Sequence, residues 1–132
     1  MKLLLDTHAF LWWIADDAQL PPKARELIGD SHNTLYWSAA SSWEVSIKYA
    51  LGRLPLPETP EECLPVELKK NRIESLSVID AHTFQAGRLP RHHAEPFDRM
   101  LVAQAQIESL VILSNDRKLI HYDVDIHWSL IH

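Results

Sequence analysis

Lys2-Leu3-Leu4-Leu5-Asp6-Thr7 packs three leucines into a run too short for a helix and closes it with an acid. A continuous apolar run of this length reads as a strand buried on both faces, the kind parallel sheets use. The same pattern returns near the other end, where Leu110 to Leu113 is closed by Ser114-Asn115-Asp116. Between these runs, strand and helix signals alternate. A helix is expected over His8 to Ala15, and Pro21-Pro22 opens a second through Lys23 to Ile28. Thr34 to Trp37 is a strand candidate, after which Ser38 can cap a helix from Ala39 to Leu51 that Gly52 ends. Pro55, Pro57 and Pro60 mark a loop before a helix over Glu61 to Lys70. Ile73 to Val78 reads as a strand, Asp80 to Gly87 as a helix, and Phe97 to Ser109 as an amphipathic helix, with a last strand near Asp125 to Trp128. Such alternation predicts an α/β fold: a parallel sheet with helices on both faces.

A chain of 132 residues is the size of one domain, so residues 1–132 are expected to share one core. With 46% hydrophobic residues, 23% charged and only 3 glycines, the composition excludes disorder and collagen-like repeats. The apolar runs fall far short of the roughly 18 residues a membrane span needs, so no membrane partner is expected. Met1-Lys2 leads directly into the first strand without a secretory leader, and Cys63 is the single cysteine; both fit a cytoplasmic protein. A lone thiol also rules out a thiolate zinc knot. The net charge of -5 argues against a surface coated with phosphate-binding residues, and any nucleic-acid contact has to be local.

Four acids stand where solvation does not readily explain them. Asp6 and Asp116 close apolar strands, and ligands of open parallel sheets bind beyond the carboxyl ends of the strands. Each is also a good helix cap or turn residue. Glu44 shares a helical face with Ala40, Ile47 and Leu51, an otherwise apolar stripe, though an ion pair with Lys48 one turn on competes as an explanation. Asp98 lies on the same face as Leu101, Val102 and Ala105, and its first-turn position also suits the helix dipole. Four carboxylates in one pocket repel one another unless a cation neutralises them. Oxygen ligands without thiolate, and without a histidine pair at helical spacing, select Mg²⁺ or Mn²⁺. That chemistry suits hydrolysis of a phosphodiester by a water the metal activates. Thr7, Ser38 and Asn115 are possible supports for a carboxylate or a metal water, each equally readable as a cap or turn residue. His8, His92 and His93 are candidate phosphate contacts, although loop histidines are usually just exposed.

Leu3 to His8, Ser41 to Lys48, Pro96 to Ala105 and Leu113 to Asp116 together resemble the ordered motifs of PIN-domain ribonucleases, in particular the VapC-type toxins of prokaryotic toxin–antitoxin modules. The resemblance implies an α/β/α sandwich, a Mg²⁺- or Mn²⁺-dependent endoribonuclease acting on RNA, homodimerisation, and neutralisation by a cognate antitoxin. Carried over by position, it makes Asp6, Glu44, Asp98 and Asp116 the catalytic acids. Glu95 stands where many of the subgroup carry aspartate and is left outside the metal set, while Ser114 keeps the hydroxyl of a common threonine.

For the metal itself, Asp6 and Asp98 are the expected direct ligands and Asp116 a direct or water-mediated one, with Glu44 holding or deprotonating the attacking water. A phosphoaspartyl phosphatase would need an aspartate where His8 stands, and a receiver domain would need paired acids after the first strand. The competing class is a catalytically silent RNA- or protein-binding module of the same fold. Trp12 and Trp13 are adjacent on a short helix, so a single core-facing stripe cannot bury both. At least one is expected to be partly exposed, as a contact for the antitoxin.

Overall fold

Side chains along β1 (Lys2–Leu5) point alternately to two separate cores, which places this strand inside the sheet. Leu3 and Leu5 join one core and Leu4 the other, all three fully buried. The computed structural model describes residues 1–127. Its further elements are α1 (Thr7–Ile14), α2 (Pro22–Gly29), β2 (Thr34–Ser38), α3 (Ala39–Ala50), α4 (Pro60–Lys70), β3 (Ile73–Leu76), α5 (Asp80–Arg88), α6 (Pro96–Glu108), β4 (Val111–Leu113) and β5 (Ile126–His127). The strands form one five-stranded sheet in the order β3-β2-β1-β4-β5, every pairing parallel.

The first core packs Leu35 and Trp37 of β2 and Leu113 of β4 under α1 to α4, through Phe10, Ala24, Val45 and Leu64. The second packs Leu4 and Ile112 under α5 and α6, through Leu89, Leu101, Val102 and Ala105. This is the α/β/α sandwich expected from alternating elements. Register brings Leu5 level with Leu113, so Asp6 and the Ser114-Asn115-Asp116 segment emerge at the same edge. Among the described residues no helix is long and apolar enough to cross a membrane.

Several boundaries differ from the sequence reading. β3 stops at Leu76 instead of Val78, and the final strand starts at Ile126; Trp128 lies outside the described residues. A short 3₁₀ turn, Arg117–His121, follows Asp116 where no helix was expected. Five residues at that pitch leave too little periodicity to be read from sequence. α4 continues through Pro65, whose ring lies on the exposed side. The apolar stripe assigned to Glu44 also needs correction. Ala40 is buried, but Leu51 is 61% exposed because it sits past the last turn as the C-cap residue. That face of α3 leaves the core as it ascends.

Candidate active site

The loop after β1 turns immediately into α1, and Asp6 caps the helix: its Oδ1 accepts from the Ala9 backbone N–H at 2.7 Å. Asp116 does the same for the 3₁₀ turn, accepting from the Lys118 N–H at 3.0 Å. Capping and site roles are therefore compatible, since a carboxylate has more lone pairs than one cap consumes. Ser114, fully buried, ties the two together. Its hydroxyl hydrogen-bonds the Asp6 carboxylate and accepts from the Asp116 N–H at 3.0 Å.

Glu44 comes in from α3 and is 6% exposed. Thr7 Oγ1 donates to its Oε1 at 2.5 Å, and Lys48 Nζ to its Oε2 at 2.6 Å. The Lys48 ion pair exists, and it lies in the wall of the cavity. Asp98 arrives on the first turn of α6, above the buried Leu101, Val102 and Ala105. Asp6, Glu44, Asp98 and Asp116 thus line one cavity of about 360 Å³, together with Thr7, Asn115, Lys48 and Lys118. Ser38 does not line it. Ser38 Oγ accepts from the Ala40 N–H at 3.0 Å and starts α3, so its contribution is to the helix that carries Glu44.

The cavity is short of positive charge, with Asp6, Glu44, Glu95, Asp98 and Asp116 facing Lys48 and Lys118. Burial pushes the Asp98 carboxyl up to about 7; His93 opposes the shift, while Glu44, Asp6 and Asp116 add to it. Asp6 is likewise raised by burial, against the hydrogen bonds from Ser114 and Ala9 and the nearby His8.

His93, one of the loop histidines whose role the sequence leaves open, is buried and central. Its Nε2 lies 2.7 Å from Asp116 Oδ2 and 3.3 Å from Asp98 Oδ2. One atom each of His93, Asp98 and Asp116 falls within 4.8 Å of the others, a grouping close enough to hold a metal ion. Asp6, expected as a ligand, borders the same space without belonging to that closest grouping. The signal for His93 was the loop Arg91 to Glu95 just ahead of Asp98, but its burial depends on Tyr122, far along the chain. His92 remains on the surface, where its ring packs near His121 and Tyr122. His8 is exposed at the junction of the cavity with a second, apolar groove lined by Leu11, Trp12, Ile14, Leu54 and Leu56. Trp12 and Trp13 are both half-buried; Trp13 Nε1 donates to Asn71 Oδ1 of α4's C-cap at 2.9 Å.

Comparison with known proteins supplies a context for this geometry. Over 61 residues the chain is 39% identical to Ribonuclease VapC16 of Mycobacterium tuberculosis; the match spans 46% of this chain and 43% of that protein. The fold is similar to VapBC2 of Rickettsia felis bound to a promoter DNA fragment, with a TM-score of 0.71 and 19% identity over 96% of this chain and 98% of the other. It is also similar to DNA-bound VapBC of Salmonella typhimurium, with a TM-score of 0.66 and 20% identity over 96% and 97% of the two chains. Residues 3–125 match the model of the PIN domain, so the parallel sheet and the acids gathered at its carboxyl edge are those of a chain that belongs to the PIN domain family.

Proposed function

We propose that this chain is a Mg²⁺- or Mn²⁺-dependent endoribonuclease that hydrolyses RNA phosphodiesters, and that it serves as the toxin of a cytoplasmic toxin–antitoxin pair, active as a homodimer. The observation that carries the reading is the convergence of Asp6, Glu44, Asp98 and Asp116 on one cavity, with Lys48 and Lys118 the lysines among its lining residues. The donor set fits a hard divalent ion. It is rich in carboxylate oxygen, has no thiolate, and holds Asp98 and Asp6 buried with raised pKa values, to which burial contributes most and neighbouring carboxylates add. Asp6, Asp98 and Asp116 would hold the ion. Bound there, it supplies positive charge to the reacting phosphate and acidifies water.

The chain's own groups do the rest. Thr7 and Lys48 fix the Glu44 carboxylate from both oxygens, leaving lone pairs to orient a water and accept its proton. Asn115 borders Asp116, and Lys48 and Lys118, which line the cavity, meet the phosphate backbone. The apolar groove beside α1 suits a segment of the antitoxin, whose basic side chain would reach past His8 into the acidic cavity.

Purified, partner-free protein should cut RNA with Mg²⁺ or Mn²⁺ and stop in excess EDTA. Asp6→Asn, which keeps shape and removes charge, should lower the rate by about 100-fold or more. Cleavage by that variant at the parental rate, or undiminished cleavage in EDTA, would overturn the mechanism. RNA binding without cleavage under any of these conditions would favour the silent binding module.

A further inference from the structure

We infer that His93 is a positioning residue, a neutral imidazole that donates through Nε2–H to Asp116, beside Asp98, to hold the acid pair for the cation, and is not itself a ligand. The inference rests on the metal reading of the site given above. Proximity alone points the other way, because His93 Nε2 belongs to the closest grouping of ligand-type atoms in the cavity.

The other ring nitrogen decides the matter. Nδ1 faces the backbone N–H of Glu95 at 3.0 Å, a contact in which the backbone donates and the ring accepts. An Nδ1 that accepts carries no proton, so the proton of the neutral ring is on Nε2. Nε2–H then points at Asp116 Oδ2, 2.7 Å away, with Asp98 Oδ2 at 3.3 Å. Ligation through Nε2 would move the proton to Nδ1 and set two N–H groups against each other at the Glu95 contact. Turning the ring away is also resisted, because the loop is pinned. The His93 backbone N–H donates to Tyr122 Oη at 2.9 Å, and Tyr122 Oη donates to Pro90 O at 2.8 Å. Tyr122 is itself buried in the second core.

Asp98 comes from the first turn of α6 and Asp116 from the loop after β4, and no backbone hydrogen bond joins those two segments among the contacts described. The Nε2–H bond to Asp116 Oδ2, with Asp98 Oδ2 3.3 Å from the same nitrogen, places the donor between the two segments and offsets the repulsion of their carboxylates. His93 therefore acts through the carboxylates, as a partner outside the ligand set.

Chain carrying ¹⁵N-histidine, followed by long-range ¹H–¹⁵N spectra during titration with Mg²⁺, reads the tautomer directly. The expected result is a neutral His93 protonated at Nε2 both before and after Mg²⁺ is added. A proton on Nδ1 in either state overturns the inference. His93→Ala should weaken Mn²⁺ binding by about 10–100-fold in calorimetry, and His93→Gln, whose amide N–H₂ reaches the same place, should recover much of it. Unchanged affinity in His93→Ala, or no recovery in a folded His93→Gln, counts against the donor role. Should neither variant fold, the spectra of the parent chain still decide. Failure of the parent to bind either ion would sink the metal reading, while the metal-free tautomer would still test the donor.

Discussion

Asp98 is buried beside other carboxylates, and its carboxyl, pushed up to about 7 by burial, makes stability depend on pH. The sign follows from comparing the two states. Unfolded, the group titrates near 3.8; folded, near 7, so between those values the native chain holds a proton that the unfolded chain has released. The metal-free protein should lose stability as pH rises from about 4 to about 7. Asp98→Asn removes the titration. Melting temperatures from pH 4.5 to 8 should fall less steeply in that variant than in the parent, and parallel curves would show that Asp98 is not the source. Added Mg²⁺ should raise the parent's melting temperature more at pH 8 than at pH 5, because only the ionised carboxylate binds it. At this scale the sequence was informative wherever an acid interrupted an apolar pattern. Asp6, Asp116 and Asp98 did so. His93 and Ser114 did not, because a loop histidine and a small hydroxyl carry no periodicity against which burial can be read.

At the scale of elements, two tryptophans on one short helix divide their work. Trp13 donates to Asn71 and lies in van der Waals range of the position a Cβ on Gly29 would take, which places it in the seam between α1, α2 and α4. Trp12 lines the apolar groove. Trp13→Ala should lower the unfolding midpoint, while Trp12→Ala should keep the fold and weaken the antitoxin, by at least about 1 kcal/mol if it is a hot spot. Antitoxin titration and oligomer mass measured on both variants check this, and unchanged affinity with Trp12→Ala would return that indole to the core. Helices were legible from their 3.6-residue period, and the central strands from apolar runs too short for a helix. The stripe through Glu44 does not extend to a buried Leu51, since periodicity continues past the point where the helix stops having a neighbour.

For the molecule as a whole, β1 is the organising strand. Leu4 is fully buried and paired on both sides, so Leu4→Ala should cost about 2–5 kcal/mol in denaturant unfolding, more than a truncation at the half-exposed Leu76 of the edge strand β3. The strand order β3-β2-β1-β4-β5 has a further consequence, one that concerns synthesis. A ribosome that has released the chain through α6 has already made Asp6, Glu44 and Asp98, but neither β4 nor Asp116 yet exists. Until β4 emerges, one side of β1 is an open edge and the Ser114 hydroxyl that ties Asp6 to its neighbour is missing. Pairing the first strand with one of the last is a contact of very long sequence separation, the kind that forms late. The nascent protein therefore carries three of the four site acids through translation without a closed cavity, and the site comes into being only as the segment from β4 to Asp116 is delivered.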